Sequence, residues 1–230
     1  MGEPVNILAI ETATPGCAMA VRTSEGVELE LVLGDERHHT EALTPGIRDL
    51  LYKVKISAAS IDRVVVDRGP GLYTGLRVGI ATALGFSVAS GAELVGVTSL
   101  EVLAHGAFNS GVRGTLVSVV DGRRGEVFIQ IFSLDASVLA LSDPKVALPR
   151  EVALEWNQRG DVVTFTGDGA ARYADEFAGV THGLIFNQQV PSPLAALALG
   201  ALRAPQVAIV PLYLREADAV ANFTTRQPPS

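Results

Sequence analysis

Two carboxylates stand where chemistry on a phosphate could be organised. Glu11 follows the apolar run Ile7–Ile10 and Asp121 follows Leu116–Val120, so each acid closes a short core strand at an equivalent place in its half of the chain. Acids placed this way could hold Mg2+ and a nucleotide between two lobes, as phosphotransferases do. The loop after Glu11 argues against it, because Thr12-Ala13-Thr14-Pro15 offers no glycine before Gly16 and makes a poor backbone cradle. Glu11, Thr12 and Asp121 are therefore candidates for residual nucleotide contact. A small-molecule kinase using Glu11 and Asp121 for Mg-ATP is the alternative reading.

Other chemistries find fewer parts. Among His38, His39, His105 and His182, no pair has the three intervening residues that set two imidazoles on one helical face. No zinc or iron site is expected, and a self-contained metallopeptidase falls with it. His38 and His39 read as polar residues at the mouth of a helix. There is no Gly-x-Ser-x-Gly elbow, and the single cysteine, Cys17, has no obvious partner, so a hydrolase triad has no starting point. No catalytic residue and no cofactor is expected. The stretch from Asp67 to Arg77 leaves a strand and enters a helix through Gly69, Gly71 and Gly75, with Thr74 placed to cap it. Leu76 stands where a P-loop needs lysine, and Thr74 where the dinucleotide fingerprint needs its last glycine, so a structural turn is the expected role.

The elements that must position these residues follow from periodicity. Ile7–Ile10, Cys17–Arg22 and Val27–Leu33 read as three successive strands. Thr40 to about Val54 reads as a helix, Val64–Val66 as a buried strand, Thr74–Ser90 as a second helix, Leu94–Val97 as a strand and Ser99–His105 as a helix. Leu116–Val120 and Glu126–Leu134 restart the pattern, followed by a strand at Val162–Thr166 and an alanine-rich helix around Pro193–Arg203. Two such units, offset by roughly a hundred residues, imply an α/β chain of two lobes, divided as 1–108 and 109–230.

Composition limits the partners. Of 230 residues 48% are hydrophobic and 19% charged, which suits buried cores and not disorder. Eighteen basic residues against 25 acidic ones leave a net charge of -7, so the chain is not expected to grip RNA alone. Arg63, Arg68 and Arg77, close in sequence, are the local exception. A lone cysteine, no signal-like start and no span long enough for a bilayer point to the cytoplasm.

Two helices offer a contact surface instead. Leu43, Ile47, Leu50 and Leu51 recur along one face of the first, and Gly75, Gly79, Ala83 and Ser87 recur every four residues along the second. A stripe nearly bare of side chains lets another helix approach closely. These residues, with Thr74, are the expected partner or dimer interface.

The ordered set Ile7–Thr12, His39–Pro45, Gly69–Arg77, Val97–Glu101, Asp121–Val127 and Pro211–Arg215 resembles the TsaB family of bacterial tRNA modification across nearly the whole chain. The resemblance implies an actin-like/Hsp70-like fold with a shortened second lobe. It also implies a non-catalytic role: binding and supporting the related catalytic subunit TsaD in making N6-threonylcarbamoyladenosine beside the anticodon of tRNAs reading ANN codons. TsaD carries a His-x-x-x-His metal site that is absent here. Pairing would run through the first lobe, a homodimer could form when TsaD is missing, the ATPase TsaE would join the pair, and tRNA would be met only through the complex. Glu11 stands where the family usually has Asp, and Leu72-Tyr73 where Ser-Phe is common.

Overall fold

Ile7–Glu11 (β1) is buried at every position, the mark of a strand covered on both faces. In the computed structural model, which describes residues 5–34 and 39–215, β1 is the spine of a five-stranded sheet. Cys17–Arg22 (β2) pairs with it antiparallel, and Glu28–Leu33 (β3) lies outside β2, alternating exposed and half-buried residues as an edge strand should. The helix α1, His39–Lys53, leads through a 3-10 turn at Ala58–Ser60 to Arg63–Asp67 (β4), parallel to β1. The helix α2, Tyr73–Ser90, then crosses to Glu93–Val97 (β5), parallel to β4, giving the order β3-β2-β1-β4-β5.

Ser99–Asn109 (α3) opens with a capping box, in which Thr98 and Glu101 satisfy each other's backbone N–H groups. Thr115–Arg123 (β6) and Glu126–Leu134 (β7) form an antiparallel hairpin, extended by Val138–Ala140 (β8) and Lys145–Ala147 (β9), both against β7. After Pro149–Arg159 (α4) come Val163–Thr166 (β10), the short helices Asp168–Arg172 (α5) and Ala174–Ala178 (α6), and Gly183–Phe186 (β11). Because β10 is parallel to both β6 and β11, the second sheet runs β8-β7-β6-β10-β11, the order of the first, with β9 added against β7. The pattern repeat in the sequence is thus a repeat of topology.

The last helix, Pro193–Ala201 (α7), does not stay with the second sheet. Its Ala195, Ala196, Leu197 and Leu199 pack with Ile7, Ala9, Val65 and Val95 on the first sheet. The approach is so close that a Cβ on Gly200 would stand 2.2 Å from Val65 Cγ2. Beyond α7 the chain runs beside β5, where Gln206 N donates to Leu94 O at 2.7 Å and Leu212 N donates to Arg68 O at 2.7 Å. A division at 108/109 separates the strands of the two sheets, but the front sheet is covered by a helix from the far end of the chain. Among the described residues no helix is long and apolar enough to cross a membrane.

Candidate functional site

The carboxylates come together differently from the way their sequence positions suggest. In the parallel register of β1 and β4, Ile10 faces Val66, which sets Glu11 and Asp67 side by side at the strand ends. Both are fully buried. Glu11 Oε1 accepts the Ala13 N–H at 2.7 Å; Asp67 Oδ1 accepts the Gly69 N–H at 2.7 Å and the Ser99 hydroxyl at 2.9 Å. The two carboxyl groups lie within hydrogen-bonding reach of each other, and the oxygens left without a donor are Glu11 Oε2 and Asp67 Oδ2. One proton held between them would satisfy both. Burial first, and then the neighbouring Asp67 charge, holds the Glu11 carboxyl well above the usual carboxylate range. Burial also raises Asp67, although the hydrogen bonds it accepts work the other way.

The second lobe repeats the motif with charge compensation. Asp168, just past β10, accepts the Asp121 N–H at 3.0 Å and is pushed by burial to about 6. Asp121 Oδ2 lies 3.1 Å from Arg123 Nη1 and 3.5 Å from Arg172 Nε. The first lobe's pair makes no such ion pair among the described residues.

The groups that a nucleotide would need in the first loop are engaged inside the lobe. Ala13 N–H is bound by Glu11, Ala13 O accepts Leu72 N–H at 2.7 Å, and Thr12 Oγ1 donates to Gly75 O at 2.8 Å. Glu11 lies fully buried beside Asp67, and Asp121 is ion-paired with Arg123 and Arg172. Among the described residues there is no cluster of three metal-ligating side chains. His38 lies outside those residues.

Of the expected interface residues, all but Thr74 and Ser87 are buried within the first lobe, and Ile47 and Leu51 also line the groove between α1 and α2. Leu43, Ile47, Leu50 and Leu51 sit in the first lobe's own core beside Leu8, Met19 and Val66. Gly75, Gly79 and Ala83 are buried on the sheet side of α2, and a Cβ on Gly79 would meet Thr12 Oγ1 at 2.2 Å. Ser87 is half-buried and donates to Ala92 O. Thr74 is exposed but does not cap α2, which starts at Tyr73 with Leu72 in the cap position and no side-chain bond there. The bare stripe thus serves the fit between helix and sheet. Gly79→Ala is expected to cost about 1–3 kcal/mol in thermal or denaturant unfolding, the usual price of overpacking.

What the same two helices show to solvent is the opposite face. On α2 Arg77, Ala81, Leu84 and Val88 are exposed at helical spacing, and on α1 Thr44, Arg48 and Tyr52 are. Tyr52 is 83% exposed and Val88 79%. Between the helices lies a groove of about 410 Å³ bordered by Thr44, Arg48, Leu51, Tyr52, Thr82 and Phe86.

Two sheets of one strand order, acids at equivalent strand ends and a front helix pair turned outward define a protein of the actin-like α/β class. The family model described as "TsaD: tRNA N6-adenosine threonylcarbamoyltransferase" matches residues 34–160, more than half of the chain. The "tRNA threonylcarbamoyladenosine biosynthesis protein TsaB" of Escherichia coli (strain K12) is 33% identical over 124 residues, a match spanning 54% of this chain and 53% of that protein. The Bacillus subtilis (strain 168) protein of the same name is 27% identical over 230 residues, covering 97% of this chain and 100% of its own. The solved structure of YeaZ from Pseudomonas aeruginosa superposes with a TM-score of 0.78 at 24% identity, over 91% of this chain and 100% of that one. The chain belongs to the TsaB (YeaZ) family of tRNA threonylcarbamoyladenosine biosynthesis proteins.

Sequence reasoning missed Asp67, Ser99, Asp168 and Arg172. One signal was available for Asp67: it ends a buried strand just as Glu11 does. The contact of Ser99 with Asp67 spans 32 residues and left no local trace.

Proposed function

We propose that this chain is the non-catalytic member of a tRNA threonylcarbamoyladenosine-forming assembly, pairing with a TsaD-type subunit through the outward faces of α1 and α2. The observation that carries the reading is the exposed face with Tyr52, Leu84 and Val88 beside an apolar groove, while Glu11 and Asp67 are buried inside the first lobe and Asp121 is ion-paired with arginines. Large apolar side chains left in water on two adjacent helices favour burial against a partner. A related subunit with the same helix pair would supply a matching surface, a second copy could take its place when it is absent, and a TsaE-type ATPase would join the pair. Transfer chemistry and tRNA contact belong to the assembly and not to this chain alone.

The test is co-purification with the TsaD-type subunit, followed by titration. In Y52D/V88D each charge is expected to cost about 2 kcal/mol of pairing, roughly a thirtyfold loss per site, without lowering the melting temperature because both positions are exposed. Normal affinity in that variant would move the contact to another face.

A further inference from the structure

A cleft of about 450 Å³ opens between the Pro70–Tyr73 turn, the hairpin joining β6 to β7, and the closing strap at Leu212–Arg215. It shares no lining residue with the groove between α1 and α2, and of Glu11, Thr12 and Asp121 only Asp121 lines it. Its volume falls within the range of small-ligand sites, about 300–1,000 Å³.

Three independent features give the cleft a chemistry. Its walls carry the rings of Tyr73, Tyr213 and Phe128. Tyr73 and Tyr213 lie 5.4 Å apart with the Arg77 guanidinium 3.8 Å from the Tyr73 centroid. Its charged lining is Asp121 against Arg123, Arg124 and Arg215, one negative and three positive, or +2 in a protein whose total is -7. Glu126 tempers this by pairing with Arg215. The third feature is backbone: Arg123 and Arg124 have φ of 62° and 56°, in the left-handed region that turns of this kind usually give to glycine or asparagine. Strain of that sort collects at functional positions, and here it brings two guanidinium groups to the cleft mouth.

We propose that this cleft binds a planar base bearing a phosphate, that is, a nucleotide, either free or as an unpaired residue of a single RNA strand. Aromatic faces and guanidinium planes stack on bases, and arginines meet phosphate oxygens in a geometry that lysine cannot copy. A carboxylate-bearing peptide would use the arginines but leave the ring platform without a role.

The experiment uses the full chain and calorimetric titration with AMP, with adenosine, and with a hexameric single-stranded RNA at low salt. The decisive variant is R123G/R124G, since glycine takes positive φ freely and Arg172 still faces Asp121, so the hairpin should keep its fold, which an unchanged circular-dichroism spectrum checks. Saturable binding is expected, weakened about tenfold or more in R123G/R124G and in Y213A, and weaker for adenosine than for AMP. AMP binding as tightly as the hexamer identifies a free nucleotide; hexamer binding at least about tenfold tighter identifies a strand. If neither probe binds below about 1 mM, or if R123G/R124G binds like the wild type, the proposal is wrong. Y52D/V88D should bind as the wild type does, so failure here and failure of the pairing surface are told apart.

Discussion

Gly167→Ala is expected to lower the melting temperature by roughly 10 °C, from a loss of about 3–5 kcal/mol. Gly167 joins β10 to α5 with φ 113° and ψ 171°, a conformation that only glycine adopts without strain. A Cβ there would stand 2.0 Å from Val119 O on β6 and 3.0 Å from Leu103 Cδ1 on α3. The strand and the helix would both have to yield. Gly160→Ala is the control, for Gly160 has φ 70° with nothing within 4 Å of the added carbon, and it should cost only about 1 kcal/mol. A melting temperature for Gly167→Ala within about 2 °C of the wild type would show that β6 relaxes far more easily than close-packed interiors do.

The second large effect concerns the shared proton. Asp67→Ala removes the acceptor of the Gly69 N–H and of the Glu11 proton, while the Ser99 hydroxyl can fall back on Pro70 O at 2.9 Å. Two buried donors left without partners cost about 3 kcal/mol or more. Glu11→Gln should do the opposite at alkaline pH. The folded-state pKa of Glu11 is raised, so its contribution is fully present below the ordinary carboxylate value and is lost as pH climbs towards the folded value. Asp67 is shifted in the same direction. A glutamine keeps an acceptor for the Ala13 N–H and a permanent donor for Asp67, so the variant should match the wild type near pH 5 and exceed its melting temperature near pH 9. Parallel stability curves for the two proteins from pH 5 to 9 would mean that no proton is held between the carboxyls.

Strands and helices with one clear period were legible before any coordinates. Cys17–Arg22 and Glu126–Leu134 carry strand patterns that the structure reproduces residue for residue. The short strands β8 and β9 were not, because three residues show no period, and α4 opens on Pro149-Arg150-Glu151 with its buried Trp156 late in the helix. The orientation of α2 was not legible in the sequence. Gly75, Gly79 and Ala83 on one side and Ala81, Leu84 and Val88 on the other are all apolar or small, so periodicity alone does not say which stripe turns to the sheet. On α1 the apolar face was unmistakable, but an amphipathic helix covers its own core before it covers a neighbour's. The acid pair was half visible: Glu11 stood out, whereas its partner lies 56 residues on and is met only through the parallel pairing of β1 and β4.

The placement of α7 on the first sheet bears on how the molecule is made. A ribosome releases β1 near the start of synthesis, yet Ile7, Ala9, Val65 and Val95 gain their covering only when Ala195–Leu199 emerges. The front half therefore cannot mature during translation as an independent unit, and a truncation ending before Pro193 leaves a bare apolar surface for chaperones or aggregation to find. Covering of the amino-terminal sheet thus waits for α7, which ties the presentation of the α1/α2 face to an intact Pro193–Ala201 helix.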